Sequence, residues 1–506
     1  MESLRFTDEG LRMRLKRLVE LFPDISIKGS KEIEINGLCS NSKFVAPGNL
    51  FIAKKGQTHD GNKFIYDAVS GGATAILTDM YDPFLGVTQL LHPNVASIES
   101  SLASHYYQEP SKELHVIGIT GTSGKTTSSF LIKHILEHAK FPTGLIGTIE
   151  WIIRDHSFPA TMTTPDILTN QKLLREMVQA GCKAAVMEVS SHGLDQKRVE
   201  EIQFDIGVFT NFSRDHLDYH SSMESYFEAK QRLFAGLLPD KWAIFNADIP
   251  LTFQTKGRKF TYGIEKEADL RARSLKLSDK GIQFTACFQG EESICKSSLI
   301  GGFNVYNLLC AIASGICLGI SLEICVNALK TFKGVPGRLE KVKNDLDLQI
   351  FVDFSHKEEA LRNVLQTLKG IKRGKLITVF GCGGNRDPGR RLGMGLAVKE
   401  LSDEAIITND NPRNEDPEEI VKEILKAFDS QDHVSVELDR EKAIKKAIER
   451  ATPADIVLIA GKGHEKQQIF AHQIIPFDDC EVAKNICYQK SCKNPHFHQT
   501  HGVSCD

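Results

Sequence analysis

The alternation of apolar and polar positions divides the chain into three α/β stretches. In the first, short strand-like runs at Glu32 to Leu38, Leu50 to Ala53 and Ala73 to Thr78 are separated by turn-rich sequence, including Gly56-Gln57-Thr58-His59-Asp60-Gly61. This predicts a small α/β domain ending near Pro110-Ser111-Lys112. In the second, an apolar run from His115 to Thr120 passes through a glycine-rich turn into a helical pattern from Thr126 to about His138. Buried-strand runs follow at Ala184 to Val189, Asp205 to Asn211 and Ala243 to Asn246, with helical stretches between them, which predicts a parallel sheet with crossover helices. A helix around Asn307 to Leu318 belongs near the end of this stretch, and Gly334-Val335-Pro336-Gly337 breaks the pattern. In the third, Leu348 to Phe354, Lys375 to Gly381, Glu404 to Asn409 and Asp455 to Gly461 read as strands between charged helices such as Pro417 to Phe428, a second doubly wound, Rossmann-like sheet. The predicted division is 1–111, 112–336 and 337–490, followed by a polar tail, 491–506, expected to be disordered.

Length agrees with this division, because 506 residues exceed what one hydrophobic core organises. With 62 basic and 65 acidic residues and a net charge of -3, no overall field points to nucleic acid or anionic lipid, so any anion is held locally. The first residues mix Arg12, Arg14, Lys16 and Arg17 with Asp8, Glu9 and Glu20, so no secretory signal is expected. The longest apolar run, about Leu308 to Ile320, is too short to span a bilayer. Twelve scattered cysteines without paired C-x-x-C knuckles fit free thiols in a reducing cytosol. The tail's His496, His498, His501, Cys492 and Cys505 match no zinc spacing. The expected protein is cytoplasmic and monomeric, with no nucleic-acid or membrane partner.

Gly118-Ile119-Thr120-Gly121-Thr122-Ser123-Gly124-Lys125-Thr126-Thr127 follows a buried strand and opens a helix, the context a phosphate-binding loop requires. Its backbone N–H groups and the helix N-terminus would face phosphates, Lys125 would reach the β- and γ-oxygens, and the Thr126 hydroxyl would join magnesium. The general G-x-x-x-x-G-K-[ST] pattern wants glycine at position 119, where Ile119 stands. The glycines are shifted to 118, 121 and 124.

That shifted loop resembles the GT-x-GKT-[ST] form of the Mur ligase and folylpolyglutamate synthetase superfamily. Further blocks look like those of Mur ligases in the family's order: Thr163-Thr164-Pro165, Met187 to Leu194, Thr210 to His220, Gly302 to Asn307 and Gly334 to Arg338. Gly381-Cys382-Gly383-Gly384-Asn385-Arg386-Asp387, Asp410-Asn411-Pro412-Arg413 and Gly461-Lys462-Gly463-His464-Glu465 continue the match, which covers nearly all of the chain except the tail. The resemblance implies a three-domain fold: a small N-terminal α/β domain, a central P-loop ATPase-like domain and a C-terminal Rossmann-like domain. The implied activity is an ATP- and magnesium-dependent ligase of peptidoglycan precursor synthesis, adding meso-diaminopimelate to UDP-N-acetylmuramoyl-L-alanyl-D-glutamate. Rival readings are a lysine-adding or folate-extending ligase and, from another class, a P-loop kinase or a nucleotide-binding module without catalysis.

The resemblance also assigns residues. Gly121, Thr122, Ser123, Gly124, Lys125, Thr126 and Thr127, with Asn304, Asn307 and Arg338, would bind ATP. Thr126, Glu188, His216 and Lys230 would hold magnesium, and Lys125, Glu188, His216 and Lys230 would be catalytic. Lys230 matches the family lysine that reacts with carbon dioxide; an unmodified lysine of pKa about 10.4 is a cation, whereas its carbamate is an anion able to coordinate magnesium. Taken alone, it would read as a surface lysine on a helix. Ser40, Ser42, Gln57, Thr58 and His59 would contact the UDP part, and Thr163, Thr164, Ser191, Gln196 and Arg198 the sugar-peptide part. Arg386, Asp410, Asn411, Pro412, Arg413, Gly461 and Glu465 would take diaminopimelate, Arg413 gripping its far carboxylate bidentately and Glu465 its far ammonium. The bland alternative pairs Arg413 with Glu415 or Asp416 at the surface. One departure from the family pattern is Asp353-Phe354-Ser355-His356-Lys357-Glu358-Glu359, where the family shows Asp-Tyr-Ala-His-Thr-Pro-Asp.

Overall fold

The computed structural model describes residues 11–56, 60–429 and 434–492. Gln57, Thr58, His59 and tail residues 493–506 lie outside them. Contacts divide the chain into two compact units: Met1–Lys125 with Leu136–Phe245 and Pro250–Phe260, and Thr126–Ile135 with Asn246–Ile249 and Thr261–Asp506.

The first unit holds two sheets. β1 (Ser26–Lys28), β2 (Gly37–Cys39), β3 (Asn49–Ile52), β4 (Ala75–Thr78) and β5 (Thr88–Leu91) lie in the order β1-β5-β4-β3-β2, parallel except at β1. α1 (Val95–Tyr106) covers this sheet, and its Leu102 and Tyr106 share a buried cluster with Ile167 and Leu168 of the second predicted stretch.

The second sheet and its connections comprise β6 (His115–Thr120), α2 (Lys125–His138, whose Thr126–Ile135 belong to the second unit), β7 (Thr143–Ile146), β8 (Glu150–Ile153), β9 (His156–Pro159), α3 (Ile167–Gln179), β10 (Ala184–Glu188), α4 (Ser191–Asp195), β11 (Ile206–Phe209), α5 (Met223–Ala235) and β12 (Trp242–Asn246). Its strands run β9-β8-β7-β10-β6-β11-β12. The five from β7 to β12 are parallel and almost wholly buried, as strands covered on both faces must be. The antiparallel β8–β9 hairpin extends one edge of the expected parallel sheet.

In the second unit, the end of β13 (Arg258–Gly263) pairs with β14 (Leu270–Ser278), which continues antiparallel into β15 (Gly281–Phe288) and β16 (Glu291–Ser297). α6 (Phe303–Cys317) follows. The remaining elements are β17 (Glu340–Lys341), β18 (Gln349–Asp353), α7 (Glu358–Ile371), β19 (Leu376–Phe380), α8 (Gly389–Leu401), β20 (Glu404–Ile407), α9 (Pro417–Leu425), β21 (Val434–Val436), α10 (Arg440–Arg450), β22 (Ile456–Ala460) and α11 (Asp479–Cys492). The sheet order is β17-β18-β22-β19-β20-β21, parallel except at β17. Alternate residues feed two cores: Phe351, Leu376 and Leu458 pack against α7 and α8, while Ile350, Ile377 and Val457 pack against α10 and α11. α11 carries the fold to Cys492 with Ser491 buried, so the chain is still helical two residues past the predicted start of the tail.

Candidate active site

Gly121 adopts φ +150° and Gly124 φ +83°, the conformations that turn β6 sharply into α2. A Cβ on Gly121 would stand 1.9 Å from Thr210 Oγ1, so this backbone approach admits only glycine. The Thr210 to Ser213 segment braces the loop: Asn211 Oδ1 accepts from Ser123 N–H at 2.8 Å, Asn211 O from Thr122 N–H at 3.0 Å, and Thr210 Oγ1 donates to Ser123 O at 2.7 Å. Lys125 Nζ donates to Gly121 O at 2.8 Å and Thr122 O at 3.0 Å, resting on its own loop.

Behind the loop, Lys230 on α5 is 1% exposed, which removes it from the surface where its helix alone would place it. Its Nζ donates to Gly121 O at 2.9 Å and lies 4.4 Å from the centre of the Tyr226 ring. Tyr226 also meets Thr122 Oγ1 at 3.1 Å and the His216 ring at 5.9 Å. His216 takes a left-handed φ of 53° and its Nε2 lies 3.3 Å from Asp215. Glu188 ends β10 fully buried; its carboxylate accepts from the Thr148 N–H and hydroxyl, both at 2.9 Å. Among the described residues no three His, Cys, Asp or Glu side chains are gathered to hold a metal ion.

Glu188 leads directly to the residues expected to grip the sugar-peptide. Thr164 Oγ1 donates to Glu188 O at 2.8 Å, and Thr148 Oγ1 reaches Thr163 Oγ1 at 3.1 Å. Arg198 Nη1 donates to Thr164 O at 2.9 Å and its Nη2 to Gln196 Oε1 at 2.6 Å. Ser191 Oγ is buried, with no hydrogen-bond partner among the described residues. Ser40 and Ser42 are half-buried after β2.

In the second unit, Ser128 Oγ donates to Asn307 Oδ1 at 3.3 Å, and Asn307 Nδ2 to Asn304 Oδ1 at 2.8 Å. Arg338 Nη2 lies 3.5 Å from Thr126 Oγ1, and its guanidinium stacks 4.7 Å from the Phe354 ring. Phe354 in turn meets the rings of His356 at 4.6 Å and His464 at 4.8 Å. The phenylalanine that departs from the family pattern thus works as a stacking face, which needs no hydroxyl. Burial pulls both histidines down to about 4, leaving them neutral at pH 7.

Beyond Phe354, a cleft of about 600 Å³, open solvent included, lies at the carboxyl ends of β19, β20 and β22. Arg386, Asp410, Asn411, Arg413, Gly461 and Glu465 all line it; Pro412 does not. Arg413, at φ 54°, donates from Nη1 to Gly384 O at 2.9 Å. Among the described residues its alternative partner Glu415 is paired instead with Arg391 at 2.6 Å. Lys462, fully buried, donates to Asn411 Oδ1 at 2.9 Å and Glu465 Oε2 at 3.1 Å. Asn411 Nδ2 donates to the same Glu465 oxygen at 2.8 Å. Burial pushes the Asp410 carboxyl up, against the pull of Arg440 and Lys462.

Three family models match consecutive segments: "Mur ligase family, catalytic domain" over 34–107, "Mur ligase middle domain" over 119–315 and "Mur ligase, glutamate ligase domain" over 337–463. The chain belongs to the Mur ligase family. This Mur ligase is 44% identical to the UDP-N-acetylmuramoyl-L-alanyl-D-glutamate--2,6-diaminopimelate ligase of Chlamydia felis, over 94% of the chain and 99% of that protein. A solved structure of an enzyme with that same name aligns at TM-score 0.67 and 32% identity, covering 94% of this chain and 99% of the other. A MurF ligase from Thermotoga maritima in complex with ADP shares the fold at TM-score 0.63 and 20% identity, covering 84% and 93%.

Several side chains of this Mur ligase in contact with the expected site escaped the reading of its sequence. Thr148, which holds Glu188, falls outside every quoted block, and Arg391, which holds Glu415, lies four residues beyond one. Lys462 sits inside a quoted block, but nothing in a Gly-Lys-Gly sequence announces a buried ammonium. Gln57, Thr58 and His59, expected on the UDP part, lie outside the described residues.

Proposed function

We propose that this Mur ligase adds meso-diaminopimelate to the D-glutamyl carboxylate of UDP-N-acetylmuramoyl-L-alanyl-D-glutamate in peptidoglycan precursor synthesis, consuming ATP. The observation that carries the reading is the cleft: Arg386, Arg413 and Glu465, far apart in sequence, line one pocket beside Asn411. Arginine forks suit a terminal carboxylate and Glu465 suits an ammonium, so the pocket complements the far end of diaminopimelate, whose carboxylate lysine lacks. The near-full-length identity to the Chlamydia felis enzyme supports the same amino acid.

A carboxylate oxygen is a poor leaving group, so ATP first phosphorylates it, releasing ADP. The amine of diaminopimelate then attacks the acyl carbon, phosphate departs, and an amide remains. Lys125 serves the first step by exchanging its loop carbonyls for phosphate oxygens, and the loop N–H groups add donors without reorganising. Thr163, Thr164, Ser191, Gln196 and Arg198 present the acceptor, Ser191 with a buried hydroxyl ready to bond it. By the same resemblance Asn304, Asn307 and Arg338 would also bind the nucleotide.

Magnesium suits the oxygen donors present, because it is commonly held by one or two carboxylates, waters and substrate phosphates rather than by a closed protein cage. By the resemblance Thr126, Glu188, His216 and Lys230 would hold it, Lys230 as its carbamate, since an ammonium cannot coordinate a cation. When bound there, magnesium would supply positive charge against the β- and γ-phosphates. The enzyme works in the cytoplasm as a monomer, in three domains bounded near residues 111 and 336. No described helix is long and apolar enough to cross a membrane.

Phosphate release is measured with the UDP-dipeptide and ATP, adding diaminopimelate or lysine. Turnover with diaminopimelate at a kcat/KM far above that for lysine is expected. Comparable values overturn the assignment.

A further inference from the structure

Arg413 carries the proposed specificity, yet an acidic side chain stands two residues away. Glu415 belongs to the same knot of backbone: the Cβ that Gly384 lacks would lie 3.2 Å from Glu415 Cβ, and Arg413 Nη1 donates to Gly384 O. Asn414 N–H is held by Asn385 Oδ1 at 3.1 Å, and Asn385 N–H donates to Glu415. A carboxylate in this position is well placed to neutralise Arg413. Instead it is drawn toward α8, where Arg391 Nη2 meets Glu415 at 2.6 Å and Nη1 meets Glu423 at 2.9 Å. The Arg391 side chain is only 4% exposed, and α8 packs on α9 through Val398, Ile420 and Ile424, so the cation that takes Glu415 is fixed in place.

We propose that Arg391 is a positioning residue for amino-acid selection: by holding Glu415 in a buried-side ion pair it keeps Arg413 available to the far carboxylate of the incoming amino acid. The proposal rests on the reading of the cleft as the diaminopimelate site. Removing the guanidinium frees Glu415 to pair with Arg413, and the substrate carboxylate then competes with an intramolecular one. Lysine, which has no far carboxylate, is indifferent to that competition.

The test compares wild type, Arg391→Met, Glu415→Gln and the double variant, with KM and kcat for diaminopimelate and for lysine, and a melting temperature for each. In Arg391→Met the KM for diaminopimelate rises about tenfold or more while kcat/KM for lysine stays within twofold. Glu415→Gln alone stays within twofold of wild type for both. The double variant returns the diaminopimelate KM to within threefold of wild type, which a merely structural role for Arg391 does not do. Equal losses for both amino acids in Arg391→Met, or no recovery in the double variant, overturn the proposal. If Arg391→Met does not fold, Arg391→Lys, whose single ammonium cannot hold two carboxylates as the fork does, raises the KM about threefold and Glu415→Gln removes that rise; equal KM values in those two variants overturn it. Should wild type use lysine and diaminopimelate equally, the reading of the cleft itself has failed, before any variant is compared.

Discussion

Arg440, at the start of α10, is 1% exposed and forms a bidentate pair with the fully buried Asp479 at the start of α11, both contacts 2.7 Å. The same guanidinium donates to Asn409 O at 3.2 Å and Ala460 O at 3.1 Å, the carbonyls just before Asp410 and Gly461. Arg440→Met removes the cation, keeps the volume, and leaves Asp479 buried with no guanidinium partner. Breaking a buried pair from one side costs about 3 to 5 kcal/mol. At about 2 to 4 °C per kcal/mol for a folding unit of some 200 residues, the melting temperature falls by roughly 6 to 20 °C. Because the two carbonyls lead into the cleft, the KM for diaminopimelate also rises in whatever protein remains folded. Calorimetry of the single variant and of Arg440→Met/Asp479→Leu separates lost charge from lost packing. Replacing both partners by apolar groups of similar size is often nearly neutral, so the double variant regains most of the loss. A single variant within about 1 kcal/mol of wild type, or a double variant no better than the single, refutes the reasoning.

Arg413→Ala raises the KM for diaminopimelate by roughly 30-fold, the low end of the range for a charge-assisted pair because Arg413 is only half-buried, with little change for ATP or the UDP-dipeptide; steady-state kinetics with each substrate varied checks this, and a uniform rise in all three contradicts it. Lys230→Ala loses on the order of 10²-fold in kcat, is not restored by bicarbonate, and is partly rescued by a short carboxylic acid that supplies the missing oxygen; full activity in the alanine variant contradicts the carbamate. His356 and His464 fall to about 4 in the folded state against an ordinary value near 6.5, so the unfolded chain binds the extra protons between those values, and their contribution to stability is present above about 6.5 and lost as pH falls toward 4. Asp353 and Asp410, pushed up by burial, oppose this from the ordinary carboxylate value upward. His356→Gln therefore flattens the decline of melting temperature across that window, and an unchanged slope contradicts the assignment.

The strands that carry chemistry were legible because chemistry and burial coincide in them. His115 to Thr120 and the phosphate loop fall where the apolar run and its glycines place them, and Ala184 to Glu188 delivers its carboxylate to a strand end. The β14–β16 meander escaped because its faces alternate, Ile282, Phe284 and Ala286 inward with polar residues between, so it lacks the continuous apolar run of a strand buried on both faces. Lys230 is polar on a helix, and nothing local says that Tyr226 and Gly121 O enclose it. The pairs that set the cleft are likewise remote in sequence. Arg440 and Asp479 are 39 residues apart and Arg391 and Glu415 are 24 apart, joined only once α8, α10 and α11 have packed on the sheet. Arg413 looked free to pair with Glu415 because sequence shows adjacency and hides the competitor that wins.

The central claim is tested most directly by mixing the protein with UDP-N-acetylmuramoyl-L-alanyl-D-glutamate, ATP and magnesium, adding meso-diaminopimelate, lysine or no amino acid, and following phosphate together with the mass of the nucleotide product. Stoichiometric phosphate and a product heavier by one diaminopimelyl residue are expected, with lysine far behind and almost nothing without an amine. Phosphate release independent of the amino acid, or a lysine adduct formed as readily, would contradict it.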